Sequence, residues 1–165
     1  MGEANALPLT AGTGDIVFQG AVGDNMGHAL GAVTIVSADN VMAMSTIEAA
    51  SLVQMAGGGT TTLTDHVTTT AAQGVNLTTD DGIVLDGLDI ATGIGLVQMN
   101  AATMLGGGTT MTTTGGAITF MSTLASQIGE ANPLSLTAGT GDIEFVGAVG
   151  DDMGHALGAV TIVSA

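Results

Sequence analysis

The chain has 165 residues, with no Lys or Arg against 15 Asp and Glu residues, so its formal net charge is −15. Phosphates and anionic lipid headgroups are bound through cations, and the composition therefore excludes nucleic-acid binding and docking through a polybasic patch. Hydrophobic residues still make up 45% of the chain, which excludes the low-hydrophobicity composition of disordered proteins.

The sequence also lacks a long apolar run and any cysteine, which excludes two further classes of protein. No apolar run approaches the roughly 18 residues of a membrane-spanning helix, so we expect no membrane insertion. The chain has no cysteine, which excludes disulfides and thiolate metal sites.

The N-terminal stretch of the sequence recurs at the C-terminus. Residues 2–38 and 129–165 are nearly the same sequence at a constant offset of 127 residues, as in a tandem array. We interpret residues 1–127 as one full repeat unit of about six coils, and residues 128–165 as the start of the next unit in the same solenoid. Five pairs differ between the copies: Ala6/Pro133, Pro8/Ser135, Val17/Glu144, Gln19/Val146 and Asn25/Asp152.

Short runs of four to six residues rich in Val, Ile, Leu and Thr recur between Gly, Asn and Asp, a pattern that predicts β-strands. The window 41–56 contains helix formers but has no cap and no apolar stripe at helical spacing, so we predict strand, turn and strand there. The predicted strands are 15–18, 32–37, 51–55, 74–79, 82–87, 95–100 and 117–122.

Shorter words also recur. "LVQM" occurs at 52–55 and 96–99, and "GGGTT" at 57–61 and 106–110. If the 44 residues between the "LVQM" words are two coils, one coil is about 22 residues, which is typical of a solenoid. We therefore predict an all-β fold, a right-handed parallel β-helix. The alternative is a set of tandem β-sandwich repeats, but three Phe and no Trp or Tyr offer little for a sandwich core.

The repeated stretch "LTAGTGDI" with its continuation "GAVG" and "LGAVTIVSA", together with "GVNLTTDDGIVLDG", resembles repeat regions of large bacterial surface and secreted adhesins of the filamentous-haemagglutinin kind. The resemblance covers the whole chain and is one of style, so it carries over no functional residue. It implies a right-handed parallel β-helical shaft that holds adhesive parts away from the cell, and an extracellular or cell-surface location.

Four carboxylates, Asp80, Asp81, Asp86 and Asp89, fall within ten residues. Oxygen ligands suit calcium, which makes this cluster a calcium candidate and calcium the one candidate cofactor. Paired Asp residues also occur in polysaccharide-degrading β-helix enzymes. The third interpretation is that these residues fill turns, where Asx side chains bond to the backbone. Without any base to hold an anionic sugar chain, we expect no catalysis.

For the remaining aspartates, the histidines and the threonine runs, we expect structural roles. We expect Asp15 and Asp142 to follow glycine turns, and His28, His66 and His155 to lie in loops or on the surface. The Thr runs allow an ice-binding face as an alternative, but that function needs Thr-x-Thr on every coil. The spacing of Thr60, Thr68, Thr78 and Thr109 is irregular.

The methionines are predicted to fill the core, because the unbranched thioether adapts to irregular interiors; they include Met42, Met44, Met55, Met99 and Met104. Between the two copies, Val17/Glu144 and Gln19/Val146 are predicted to face outward. The neighbouring Ile and Phe positions are predicted to face inward.

These expectations combine into one function, a structural or adhesive shaft segment of a repetitive extracellular protein. The open strand edges at solenoid ends predict head-to-tail association into a fibre. The expected partners are further copies of the chain and, through the resemblance, cell-surface or matrix glycans.

Overall fold

The computed structural model describes residues 4–23, 28–150 and 154–165, and all the regular structure in these ranges is β-strand. In chain order the strands are β1 (Leu7–Thr10), β2 (Ile16–Phe18), β3 (Leu30–Ser37), β4 (Val41–Ala43), β5 (Ile47–Gln54), β6 (Thr60–Leu63), β7 (Val67–Thr69), β8 (Val75–Leu77), β9 (Gly82–Leu85), β10 (Asp89–Thr92), β11 (Val97–Met99), β12 (Thr103–Leu105), β13 (Thr109–Thr113), β14 (Ile118–Phe120), β15 (Leu124–Ser126), β16 (Leu134–Thr137), β17 (Ile143–Phe145) and β18 (Val160–Ser164).

The strands wind into a parallel β-solenoid of about seven turns, roughly 22 residues apart. Each turn visits three faces in the same order. Face 1 contains β1, the C-terminal halves of β3 and β5, β8, β11, β14 and β17. Face 2 contains β2, β4, β6, β9, β12 and β15, and face 3 contains the N-terminal half of β5, β7, β10, β13, β16 and β18. The predicted parallel β-helix is confirmed, and the parallel pairing excludes an antiparallel sandwich.

The core is built from columns of side chains that stack from turn to turn. Strand residues alternate between the interior and the outside, as in Val75–Leu77, where Asn76 faces outward. On face 1 the register places Leu52, Val75 and Val97 in one buried column. In the next column the rings of Phe120 and Phe145 stack with centroids 5.5 Å apart. The apolar positions therefore fill one continuous interior.

Glycine forms the corner between faces 3 and 1. Gly95, Gly116 and Gly141 lie above one another in successive turns. A Cβ atom on Gly116 would lie 2.1 Å from the carbonyl oxygen of Gly95, and one on Gly141 would lie 2.4 Å from that of Gly116. Because these contacts are with backbone atoms, only glycine allows the turns to stack this closely.

The two copies of the long repeat lie on different faces. Leu7 pairs with Val33 on face 1, whereas its counterpart Leu134 pairs with Thr109 on face 3. From β1 to β16 the chain passes to the next face seventeen times, with Val22 representing face 3 in the first turn and β5 contributing to two faces. Because each turn has three faces, 127 residues span five and two-thirds turns. Each copy is therefore rotated by one face relative to the other.

The same residues face inward in both copies in spite of this rotation. Val17 is 50% exposed and its counterpart Glu144 is also exposed, between half-buried Ile and Phe neighbours. Gln19 and Val146 are exposed as well. The predicted outward positions are confirmed. The Asn25/Asp152 pair lies outside the described residues.

The methionine prediction was wrong for four of the five residues. Met42, Met44 and Met55 are 41%, 54% and 61% exposed, and Met104 is the outward middle residue of β12, whereas Met99 is buried. Met42 is the middle residue of a three-residue strand and therefore points outward. Met44 and Met55 each follow the last residue of a strand and lie at a corner.

We predict that Gly116→Ala lowers the free energy of unfolding by about 2 kcal/mol or more, because the new methyl group forces two turns apart. Urea unfolding followed by circular dichroism measures this change. Gly20→Ala is the matched control, since a Cβ atom there meets nothing within 4 Å. Equal stabilities for the two variants would contradict the close stacking of the corner.

Candidate functional site

The four candidate calcium ligands separate onto two corners. Asp80 and Asp81 precede β9, in the turn between faces 1 and 2, whereas Asp86 and Asp89 follow β9. Five residues of extended chain place Asp81 about 16 Å from Asp86. Among residues 4–23, 28–150 and 154–165, no three or more His, Asp or Glu residues are grouped to hold a metal ion. What remains is one acidic pair in the turn before β9 and a second pair after β9, in which Asp86 lies in the turn and Asp89 is the first residue of β10.

Asp15 and Asn40 connect successive turns at the corner between faces 1 and 2. The Asn40 carboxamide and backbone N–H donate to Asp15 Oδ1 at 2.9 and 3.1 Å, and Asn40 Oδ1 accepts from the Thr60 N–H at 2.9 Å. These hydrogen bonds to Asn40 lower the pKa of Asp15 below its ordinary value. The ionised carboxylate thus holds the corner at neutral pH, and this contribution is lost as the pH falls through the lowered pKa.

His66 and Asp89 form an exposed pair that sequence reasoning missed. The Asp89 N–H donates to His66 Nδ1 at 3.2 Å, and the Asp89 carboxylate lies 3.7 Å from the same nitrogen. The backbone bond requires an unprotonated Nδ1. Residues 23 positions apart meet here because they occupy equivalent positions in adjacent turns. The turn length of about 22 residues inferred from the sequence could have predicted this pair.

Amide side chains form a ladder on the outside of face 1. Gln98 donates to Asn100 Oδ1 at 2.6 Å, and the Asn100 amide donates to Asn76 Oδ1 at 2.7 Å and to Thr78 Oγ1 at 3.0 Å. The Asn100 amide also donates to the Leu77 carbonyl at 3.2 Å. This arrangement ties neighbouring turns together.

A buried glutamine lies inside face 1. Gln54 Oε1 accepts from the Thr61 hydroxyl at 2.6 Å, while Gln54 Nε2 is buried without a hydrogen-bond partner. Its column otherwise holds apolar residues such as Leu77 and Met99. The cause is register, because Leu52 of the first "LVQM" aligns with Val97, the second residue of the other. This one-residue slip turns Gln54 inward and Gln98 outward.

The threonines noted in the sequence do not share one surface. Thr68 faces outward on face 3, whereas Thr109 faces inward, Thr60 begins a strand of face 2 and Thr78 follows one of face 1. A hydroxyl patch does exist on the outside of face 3, but the preceding turn interrupts it with Asp89, Ala91 and Gly93. The patch comprises Thr110, Thr112, Thr114, Ser135 and Thr137.

The outside of face 2 carries a shallow apolar groove. Val84, Met104 and Ala125, the outward residues in the middle of their strands, are among the residues that line it. Asp81 is the one charged residue that lines it. The groove lacks a converging set of polar groups that would orient a small ligand.

The two ends of the solenoid are the strongest candidate for a functional surface. Within the described residues, β1 pairs with β3 alone and β18 with β16 alone. Leu136 is fully buried, yet Ile162 in the same column is 52% exposed, since no described strand packs on the other side of β18. Each end of the described chain therefore presents unpaired backbone groups together with a cross-section of the core.

The stacking of parallel strands places the chain among the parallel β-solenoids. Comparisons with protein-family models, with curated proteins and with solved structures found no match to it. In the part of the chain that the structure describes, no helix is long and apolar enough to cross a membrane.

We predict that calcium raises the melting temperature more than sodium does at equal ionic strength, because the chain has no base to offset its −15 charge. The separation of the Asp pairs predicts a diffuse effect. Asp80→Asn/Asp81→Asn should therefore reduce the calcium increment no more than the matched variant Glu48→Gln/Asp65→Asn. Loss of the increment in the first variant alone would indicate a specific site there.

Proposed function

We propose that this chain is a non-catalytic segment of a structural or adhesive shaft in a repetitive extracellular protein, and that it associates end to end into a fibre. The observation that carries the proposal is the pair of open ends. Each combines an unpaired strand edge with exposed core residues, a surface suited to another turn of the same kind.

The winding order supports this pairing. The described chain begins on face 1 with β1 and ends on face 3 with β18, and face 1 is the next face in the order. A second copy placed at the C-terminal end would continue the winding without a gap. Leu7 of that copy would lie on Ile143, Leu9 on Phe145 and Val22 on Ile162, which extends three core columns.

The facing residues are compatible in charge at these positions. In the same register Pro8 would lie beside Glu144, and Asp15 beside Ala148, so no two carboxylates meet there. The net charge of −15 opposes association at long range. Association should therefore strengthen with salt, and as the pH falls toward the isoelectric point of about 4.1.

Three features favour a mechanical role over a catalytic one. The acidic residues are distributed along the corners, the polar side chains bond mainly to neighbouring turns, and the groove on face 2 lacks convergent polar groups. The chain has no Lys or Arg and hence no site for trypsin-like proteases, which suits an exposed fibre. Adhesion to cell-surface or matrix glycans and export from the cell rest on the resemblance to adhesin repeats.

We predict that the wild-type chain forms assemblies that grow with concentration, and that Ile162→Lys abolishes them because it places a charge on the exposed core column. Val163→Lys is the matched control. It introduces the same charge one residue further along β18, at a side chain that is already 65% exposed. Sedimentation velocity over a wide concentration range measures both. A single monomer peak for the wild-type chain at every concentration would contradict end-to-end association.

A further inference from the structure

Pro8 lies on the N-terminal edge of the solenoid. On either side of it, the Asn5 carbonyl accepts from the Gly31 N–H at 2.9 Å, and the Ala11 N–H donates to the Ser37 carbonyl at 2.8 Å, so both groups point toward β3. Backbone groups of successive strand residues point to opposite sides. Leu7 and Leu9 therefore face β3, and the backbone nitrogen of Pro8 faces the open edge.

Proline has no N–H, so this edge lacks a donor at the position where a further strand would need one. The other strand positions of face 1 from β3 to β17 are occupied by residues that have an N–H. An edge strand that carries proline is a known way to discourage strand addition.

The second copy of the repeat supplies an internal comparison. Its counterpart to Pro8 is Ser135, which lies in β16 between β13 and β18. The Leu134 N–H donates forward to the Ala159 carbonyl at 2.9 Å, so the Ser135 N–H points back toward β13. The two copies thus differ at this position as their surroundings differ. The N–H is present at Ser135, where β13 lies on that side, and absent at Pro8, where no described strand pairs with β1 on that side.

We propose that Pro8 limits the addition of a second copy of this chain to the N-terminal edge. This inference rests on the proposed end-to-end association and adds control of its strength. In the stacked register, the Pro8 nitrogen faces the Ile143 carbonyl of the preceding copy. That carbonyl is left without the donor that it would have between two ordinary turns.

The test is Pro8→Ser, which installs the residue that the second copy carries. The restored N–H should lower the concentration of half-assembly roughly tenfold, as expected for one recovered backbone hydrogen bond. Gln19→Val is the matched control. It also replaces a first-copy residue with its second-copy counterpart, but at an exposed outward side chain with no part in the strand ladder.

Sedimentation velocity of the three chains separates the outcomes, with melting temperatures to show that each is folded. Tighter assembly of Pro8→Ser alone supports the role of Pro8. Equal assembly of Pro8→Ser and the wild type, both above monomer, overturns that role and leaves end-to-end association standing. Monomers in all three chains overturn the proposed association, and the inference falls with it.

Discussion

Backbone hydrogen bonding between successive turns is the interaction on which the rest of this structure depends. Its strands have three to eight residues, too short to be stable alone, and each pairs with the turn before or after it. In a chain without a single Lys or Arg, ion pairs do little to hold the turns together. Side chains reinforce the ladder instead, through apolar columns inside and amide, hydroxyl and carboxylate bonds outside.

Close stacking of the turns also explains how one sequence can occupy different faces. Stacking of the turns requires only that every second strand residue faces inward, and that glycine occupies the corners where backbones come close together. The word "GGGTT" accordingly leads into face 2 at residues 57–61 and into face 3 at residues 106–110, where its threonines begin β6 and β13. The long repeat likewise begins on face 1 in the first copy and on face 3 in the second. A repeat of five and two-thirds turns would present its outward residues on a new face in each copy, which distributes them around a shaft.

Much of the fold could be predicted from the sequence, because strand alternation and repeat spacing are local signals. The seven runs identified as strands all overlap strands of the structure, and Phe18 and Phe145 face the interior. The strand Val67–Thr69 was missed because Thr69 occupies one of its two inward positions, which hides the alternation of apolar and polar residues. The inward turn of Gln54 and the exposure of Met42 depend on register across turns. No residue near them in the sequence reports that register.

The rotation of the two copies by one face can be measured through chemical cross-linking. Two cysteine variants can test it, since the chain has no cysteine of its own. Thr119 and Glu144 are register partners on face 1, at the roughly 4.8 Å spacing of neighbouring strands, which a disulfide can bridge. We expect Thr119→Cys/Glu144→Cys to form an intramolecular disulfide under mild oxidation, and Ala125→Cys/Glu144→Cys to form none. If the repeat spanned six whole turns, Glu144 would lie on face 2 beside Ala125, and the reverse result would contradict the structure described.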